Sequence, residues 1–358
     1  MATEALPPAA AGAGADERVR RKNRLAKLFQ RPEIGALLGV VIVWIFFAIV
    51  AHSHNFISWA TTASILDRAA PLGILAVAVS LLMIGGEFDL SIGSILGFSG
   101  MAIMVLVTPS SGGGFGWSLW PAVVVSLVLA LSIGAFNGLI VITTKLPSFI
   151  VTLASFFIFR GLTIALTRAW TDRTQLGGLD QIAGYALARK LFASNLTMFG
   201  QEFNVAIFWW VLLTALATWI LLRTKSGGWI FGTGGAVDAA RNVGVPTNRV
   251  KVLLFMGTAF AAFLVALIQV TQFTGADTLR GQGQELQAII AAVVGGCLLT
   301  GGYGSAVGAS LGALIFAMVQ QGIVITGVEG DWFQVFIGGI LLSAVIFNNF
   351  IRRKAARR

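Results

Sequence analysis

Apolar runs that match the length of a membrane-crossing helix recur along almost the whole of this 358-residue chain. Crossing the hydrocarbon core of a bilayer takes about 20 mostly apolar helical residues. No run shows the alternation of apolar and polar residues that marks the strands of an outer-membrane barrel. The sequence therefore predicts an all-α, polytopic membrane helix bundle of about ten transmembrane helices. The predicted spans are 34–51, 69–86, 90–107, 120–142, 146–166, 203–222, 252–274, 286–302, 304–326 and 332–351.

The low content of charged residues excludes several classes of protein. Only 11% of the residues are charged, whereas soluble domains carry about 25%. A cytoplasmic enzyme and a nucleic-acid-binding protein are therefore excluded, although the formal net charge is +10. We expect residues 1–31 to form a disordered, basic cytosolic tail held near anionic membrane lipid. Residues 32–351 are expected to form the transmembrane domain, and residues 352–358 a second basic cytosolic tail.

The distribution of basic residues predicts the orientation of the bundle, because cytoplasmic loops are enriched in lysine and arginine. Residues 223–251 carry five basic residues against the single acid Asp238, whereas residues 167–202 carry a nearly balanced mixture. Ten spans with both termini in the cytosol put the first of these loops inside and the second outside. The charge pattern thus supports the count of ten.

The glycines predict close packing and interrupted helices. Almost no polar residue separates the second span from the third or the eighth from the ninth, so we expect broken or half-length helices there. The pairs Gly85–Gly86 and Gly301–Gly302 begin similar segments, and both an internal repeat and a chance match stay open. Glycines four residues apart let helix backbones approach closely. Such rows are Gly93 and Gly97, Gly134 and Gly138, and Gly304, Gly308 and Gly312.

Two acids lie between the second and third apolar runs. Glu87 and Asp89 are followed by Ser91. An isolated acid at the bilayer centre costs about 2.5–3.5 kcal/mol or more. The segment is therefore either a gate or pathway element at a helix break, or a short cytosolic turn in which Asp89 or Ser91 caps the next helix.

Three further polar side chains interrupt apolar spans and are candidate gate or pathway residues. Arg160 either snorkels to the outer interface, pairs with an acid inside the bundle, or faces a pathway. Gln320 and Gln321 either form interhelical hydrogen bonds or contact a polyhydroxylated ligand.

Motifs for catalysis and cofactor binding are missing from the sequence. Thr224 stands before Lys225, where a Walker A motif needs glycine. The only histidines are His52 and His54, and the only cysteine is Cys297. These residues leave no His-based triad inside the bundle, no internal disulfide and no thiolate metal cluster. We predict no catalytic residue, no metal site and no cofactor.

The loop 228–246 contains a short helix-forming segment, residues 237–242. Asp238 lies near its start and Arg241 near its end, as the helix dipole favours. Gly244 is expected to end it. A short cytosolic helix flanked by glycines is suited to docking in a groove on another protein.

Five stretches together resemble a known family. The sequence is similar to the membrane permease subunit of bacterial ABC importers of the ribose/xylose/simple-sugar type, from about residue 34 to the C-terminus. Ala236 stands where the family usually has Asn, and Gln287 where it usually has Asp. The stretches are 85–94, 145–153, 160–161, 234–245 and 283–296 with 301–305.

The resemblance implies transport by several subunits and no enzymatic activity of the chain itself. It implies a multi-pass protein of the bacterial inner membrane that imports a monosaccharide or a related polyol. The implied partners are an ABC ATPase subunit, a periplasmic sugar-binding protein and a second permease copy in a homodimer, with no nucleic acid. The 234–245 segment is the implied coupling helix that contacts the ATPase. Its residues are Gly234, Gly235, Asp238, Ala239, Ala240, Arg241 and Gly244.

Two other functions stay open. An ion-coupled secondary transporter of a small polar solute needs an ionisable relay deep in the bundle, for which only Glu87, Asp89 and Arg160 qualify. An intramembrane enzyme needs a catalytic constellation that the sequence lacks. Uptake driven by an ion gradient without an ATPase would favour the first of these.

Overall fold

The computed structural model describes residues 32–52, 55–329, 332–339 and 342–343. The expected tails, 1–31 and 352–358, lie outside the described residues. The helices are α1 Pro32–Val50, α2 Trp59–Ile84, α3 Ile92–Val107, α4 Leu119–Thr144, α5 Ser148–Thr171, α6 Tyr185–Phe192, α7 Ala206–Arg223, α8 Lys225–Gly235, α9 Val237–Asn242, α10 Thr247–Gln272, α11 Gln284–Val294 and α12 Ala306–Ile325. The strands are β1 Gln175–Gly177, β2 Asn195–Met198, β3 Gln201–Asn204 and β4 Gly275–Asp277.

Nine of the predicted spans coincide with helices, namely α1 to α5, α7 and α10 to α12. Seven of these are long and apolar enough to cross a membrane, which confirms the predicted all-α, polytopic bundle. The other two are shorter, with 16 residues in α3 and 11 in α11. At about 1.5 Å per residue, α11 covers roughly half of a bilayer core. The predicted span 332–351 is helical over residues 332–339 and otherwise lies largely outside the described residues.

Two predicted boundaries differ from the structure for local reasons. α2 begins well before the predicted span 69–86, because Ser58 caps it by accepting a 3.1 Å hydrogen bond from the Thr61 amide. α11 ends at Val294 rather than near residue 302. Gly296 adopts a left-handed backbone, with φ of +93°, which stops the helix in the manner of a glycine cap.

The core of the bundle is formed by α2, α3, α10 and α12, whose residues are mostly buried, whereas α1, α5 and α7 expose broad apolar faces. Glycine rows bring the core helices into close contact, as predicted. A Cβ added to Gly134 on α4 would lie 2.6 Å from the Phe255 carbonyl oxygen on α10. One added to Gly312 on α12 would lie 1.9 Å from the Ala291 carbonyl oxygen on α11. Small residues thus set the helix spacing, as expected where lipid replaces water.

Two short antiparallel ribbons lie in the connections between helices. β2 pairs with β3 in a hairpin between α6 and α7. β1 follows α5 and pairs with β4, which follows α10. The β1–β4 ribbon therefore ties the chain that enters α11 to the end of α5.

Candidate functional site

Three glycine pairs from distant parts of the sequence meet at one point. The Gly302 amide donates a 2.9 Å hydrogen bond to the Ile84 carbonyl oxygen. A Cβ added to Gly234 would lie 1.9 Å from that same oxygen and 2.8 Å from the Gly302 nitrogen. We call this contact the glycine junction, and its members are Gly85–Gly86, Gly234–Gly235 and Gly301–Gly302.

The glycine junction depends on backbone geometry that other residues rarely adopt. Gly86, Gly301 and Gly302 have φ angles of +85°, +78° and +72°, in the left-handed region that favours glycine. In the sequence, Gly85–Gly86 and Gly301–Gly302 begin similar segments, but nothing there indicated that Gly234–Gly235 lies between them. The junction connects the end of α8 directly to the segments that lead into α3 and α12.

The helix α9 spans Val237–Asn242, the bounds predicted from the sequence. Ala240 is buried, whereas the Asp238 and Arg241 side chains are 90% and 52% exposed and lie 3.9 Å apart. Arg241 also donates to the Thr247 hydroxyl at 3.0 Å. Gly244 follows with φ of +85° and ends the helix. α9 is therefore anchored to its loop and presents a charged outer face on which Ala239 is also exposed.

Residues 87–91 form a non-helical segment inside the bundle instead of an exposed turn. Glu87 forms an ion pair with Lys251 on α10. The Phe88 amide donates to the Ser148 hydroxyl at 3.0 Å, and the Leu90 amide to the Thr152 hydroxyl at 3.1 Å. Side chains of α5 thus satisfy backbone groups that a helix would have paired internally, as non-helical backbone in a membrane requires.

Asp89 and Ser91 lie at the centre of a buried hydrogen-bond network, and both are 0% exposed. One Asp89 oxygen accepts from the Ser91 amide and hydroxyl at 2.8 and 2.5 Å. The other accepts from the Thr258 hydroxyl at 2.6 Å. Asn137 donates to the Ser91 hydroxyl at 2.9 Å and accepts from the Ser155 hydroxyl at 2.6 Å. The network joins the start of α3 to α4, α5 and α10.

We expect Asn137→Ala to lower the thermal midpoint of unfolding in detergent by several degrees. The change leaves the Ser91 and Ser155 hydroxyls without their amide partner in a buried site, which costs about 1–3 kcal/mol. Differential scanning fluorimetry measures the midpoint. Thr143→Ala on the exposed face of the same helix is the control and should match the wild type. Equal midpoints for both variants would contradict a stabilising role for the network.

Arg160 lies near the midpoint of α5, and its guanidinium binds backbone. Its Nη1 donates to the Thr278 and Arg280 carbonyl oxygens at 3.2 and 3.0 Å. Arg160 therefore holds the segment between β4 and α11. Gln320 and Gln321 are half-buried on α12, which packs mainly on α1, α2 and α11. The structure brings Glu87, Asp89 and Ser91 together but places the two glutamines elsewhere.

Several residues of the site were missed by sequence reasoning. Asn137 stands between Gly134 and Gly138 in an apolar span, and an isolated amide there is a signal for an interhelical hydrogen bond. Lys251 and Glu285 gave no signal, because each lies at a predicted span end where charge is common.

The described residues contain no cluster of three or more potential metal ligands. The Cys297 thiol, in the loop after α11, is fully buried.

Comparison with known proteins adds independent information. The family model described as branched-chain amino acid transport system / permease component matches residues 61–345. The autoinducer 2 import system permease protein LsrC of Escherichia coli is 29% identical over 322 residues, which cover 89% of this chain and 87% of that protein. The LsrC protein of Photorhabdus laumondii is 29% identical over 332 residues, or 92% of each chain. No solved structure matches the chain. The family match extends from the first turn of α2 through α12.

Proposed function

Since the chain belongs to the branched-chain amino acid transport system / permease component family, we propose that it is the transmembrane subunit of an ATP-driven, binding-protein-dependent importer of a monosaccharide or related polyol. The similarity to ABC importer permeases noted from five sequence stretches is confirmed. The chain is a multi-pass protein of the inner membrane. The proposal includes the substrate, the partner subunits and the coupling residues.

The glycine junction is the observation that carries the proposal. α9 presents exposed charge on one side. Just before α9 begins, Gly234–Gly235 at the end of α8 make backbone contact with the rest of the bundle. A cytosolic ATPase that moves α8 and α9 would push directly on the segments entering α3 and α12. Because no side chain separates the three backbones, little of the displacement is absorbed by rotamer changes.

The proposed mechanism is a shift between two conformations and requires no covalent chemistry in the permease. Closure of the ATPase dimer moves the loop 228–246 on each of two permease copies. A periplasmic sugar-binding protein delivers the solute on the opposite side. Each partner state favours one conformation of the bundle by binding it more tightly, which is sufficient to shift the population.

The rival function, ion-coupled secondary transport, requires acids that can release and rebind a cation. Glu87 is paired with Lys251, and Asp89 accepts three hydrogen bonds and is 0% exposed. These contacts fit structural roles for both acids. Solute accumulation in proteoliposomes that contain the permease alone, driven by a pH or sodium gradient, would favour the rival.

We expect Arg241→Glu and Asp238→Lys each to reduce co-purification of the ATPase by about tenfold. Reversal of an exposed charge at an interface removes an attraction and adds a repulsion. The measurement is the ATPase yield after affinity purification of the permease from membranes. Asp238→Lys is the cleaner variant, because among the described residues the Asp238 carboxylate has only the 3.9 Å contact with Arg241.

Arg189→Glu on α6 is the matched control, since α6 is also a short helix but lies on the face that we place outside. It should leave the ATPase yield unchanged. Wild-type yield with both Arg241→Glu and Asp238→Lys would refute α9 as the coupling helix.

A further inference from the structure

Arg160 has two hydrogen-bond donors that the structure buries without a partner. Its Nη1 is used by the Thr278 and Arg280 carbonyl oxygens. Its Nε and Nη2, which together form one edge of the guanidinium, are buried and unpaired. Buried donors without acceptors are rare and costly in proteins, so their retention calls for a physical explanation.

An unpaired acceptor lies on the same surface. Glu285, near the start of α11, is 8% exposed. Its Oε1 accepts from the Gly283 amide at 3.1 Å, whereas its Oε2 is buried and unpaired. Within the described residues, Arg160 and Glu285 make no direct ion pair.

Two glycines on α3 locate these groups relative to each other. A Cβ added to Gly93 would lie 2.1 Å from Glu285 Oε2, and one added to Gly97 would lie 3.3 Å from Arg160 Nη1. Gly93 and Gly97 are one helical turn apart on one face, a rise of about 6 Å. The Arg160 guanidinium and the unpaired Glu285 oxygen therefore lie against successive turns of the same helix.

The backbone around this surface is non-helical in the middle of the bundle. Arg160 is near the midpoint of α5, and the chain that it holds, residues 278–283, leads into the half-length helix α11. Many secondary transporters form their solute sites where interrupted helices meet near the bilayer midplane, and we apply the same construction rule here. Here a non-helical segment and a half-length helix meet beside α3 and α5. We call this surface the α3–α5–α11 seam, and its residues are Gly93, Gly97, Arg160 and Glu285.

We propose that the α3–α5–α11 seam binds two adjacent hydroxyl groups of the passing solute, with Arg160 Nε and Nη2 donating to them and Glu285 Oε2 accepting from one of them. This inference rests on the proposed function, and it assigns the contact that the solute makes inside the permease. The seam is closed in this conformation and opens during transport.

The chemistry of the unpaired groups fits a hydroxylated ligand. The guanidinium edge needs two acceptors side by side, and Glu285 needs a donor nearby. A vicinal diol meets both needs, because each hydroxyl accepts and donates. A carboxylate satisfies the guanidinium but offers Glu285 no donor, and a carboxylate or a phosphate is repelled by the Glu285 charge.

The test uses the full permease with its ATPase and binding protein in proteoliposomes. D-ribose and D-xylose are each compared at saturating binding protein with the 2-deoxy analogue, which lacks the C2 hydroxyl and therefore the C1–C2 and C2–C3 hydroxyl pairs. Solute uptake per ATP hydrolysed is measured for the wild type and for Arg160→Lys. Lysine can still donate to the Thr278 and Arg280 carbonyl oxygens, but it has no two-donor edge.

We expect Arg160→Lys to lower uptake of the full sugar per ATP about tenfold, the effect of losing a hydrogen bond to a charged group. The wild type should lose as much with the 2-deoxy sugar, and Arg160→Lys should no longer distinguish the two sugars. Glu285→Gln should weaken the discrimination a few-fold, since a neutral acceptor replaces a charged one. Arg168→Lys, the same change at the exposed end of α5, should behave as the wild type.

If Arg160→Lys and Glu285→Gln both still distinguished the full sugar from its 2-deoxy analogue as the wild type does, the seam would not be a solute site. The proposed function would remain intact. If the ATPase docks but the wild type takes up neither pentose nor ribitol, the polyol class fails and the seam proposal fails with it. Uptake of L-leucine that is lost in Arg160→Lys would also overturn the proposal, because the seam would then bind a zwitterion.

Discussion

Gly234→Val is expected to lower ATP-driven solute uptake by at least about tenfold. A Cβ at this position would lie 1.9 Å from the Ile84 carbonyl oxygen and 2.9 Å from the Gly85 carbonyl carbon. Both neighbours are backbone atoms, so the end of α8 must move away from the segment Ile84–Gly85. Such a displacement costs about 1–3 kcal/mol or more. Separation breaks the hydrogen bond from Gly302 to Ile84 and detaches α8 from the segments that enter α3 and α12. Uptake by proteoliposomes with ATPase and binding protein measures the loss.

Gly228→Val is the matched control for this change. Gly228 lies on the same helix, α8, and no atom lies within 4 Å of a Cβ built there. Both variants replace a glycine of α8 with valine, so they change the helix propensity in the same way. They differ in whether the new side chain collides with the backbone at Ile84. If Gly234→Val retained wild-type uptake and wild-type stimulation of the ATPase, the glycine junction would carry no coupling motion.

Gly308→Leu should lower the thermal midpoint of the purified protein in detergent by several degrees. A Cβ on Gly308 would lie 2.1 Å from the Gly295 carbonyl oxygen, and leucine adds three further carbons to the same contact between α12 and the end of α11. Overpacking of a tight site costs about 1–3 kcal/mol, and the loss shifts the midpoint accordingly. Differential scanning fluorimetry gives the midpoint directly.

Gly257→Leu provides the comparison for Gly308→Leu. Gly257 lies on α10, is exposed, and has no atom within 4 Å of a built Cβ. This variant should unfold at or above the wild-type temperature, because leucine is the better helix former. A midpoint for Gly308→Leu equal to that of Gly257→Leu would refute the tight helix contact.

Hydropathy and local backbone signals predicted the membrane helices and α9, but not α6, α8 or the four strands. A span of apolar residues predicts a membrane helix because each residue contributes independently to transfer into lipid. The bounds of α9 followed from Asp238, Arg241 and Gly244, which act within one or two turns. The predicted half-length helix was found in α11 for a similar reason, since Gly295–Gly296 interrupts an apolar run.

Hydropathy and local backbone signals did not identify the packing partners of the polar residues. Arg160 was open to three interpretations, and the structure places its guanidinium on the Thr278 and Arg280 carbonyl oxygens. Asp89 was open to two, and it lies in a buried network with Thr258 on α10. In each case the partner is more than 100 positions away in the chain, so no local pattern identifies it.

The sequence alone therefore determined the membrane bundle, its helices, the short charged helix and the family of transport permeases. Only the tertiary structure decided that three glycine pairs meet at one junction and that Arg160 and Glu285 face the same side of α3. The physical reason lies in the solvent. In lipid, apolar side chains gain little by choosing one neighbour over another, and helix partners are selected by small residues and a few polar contacts. Those contacts depend on which surfaces are brought together, and the folded bundle fixes that arrangement.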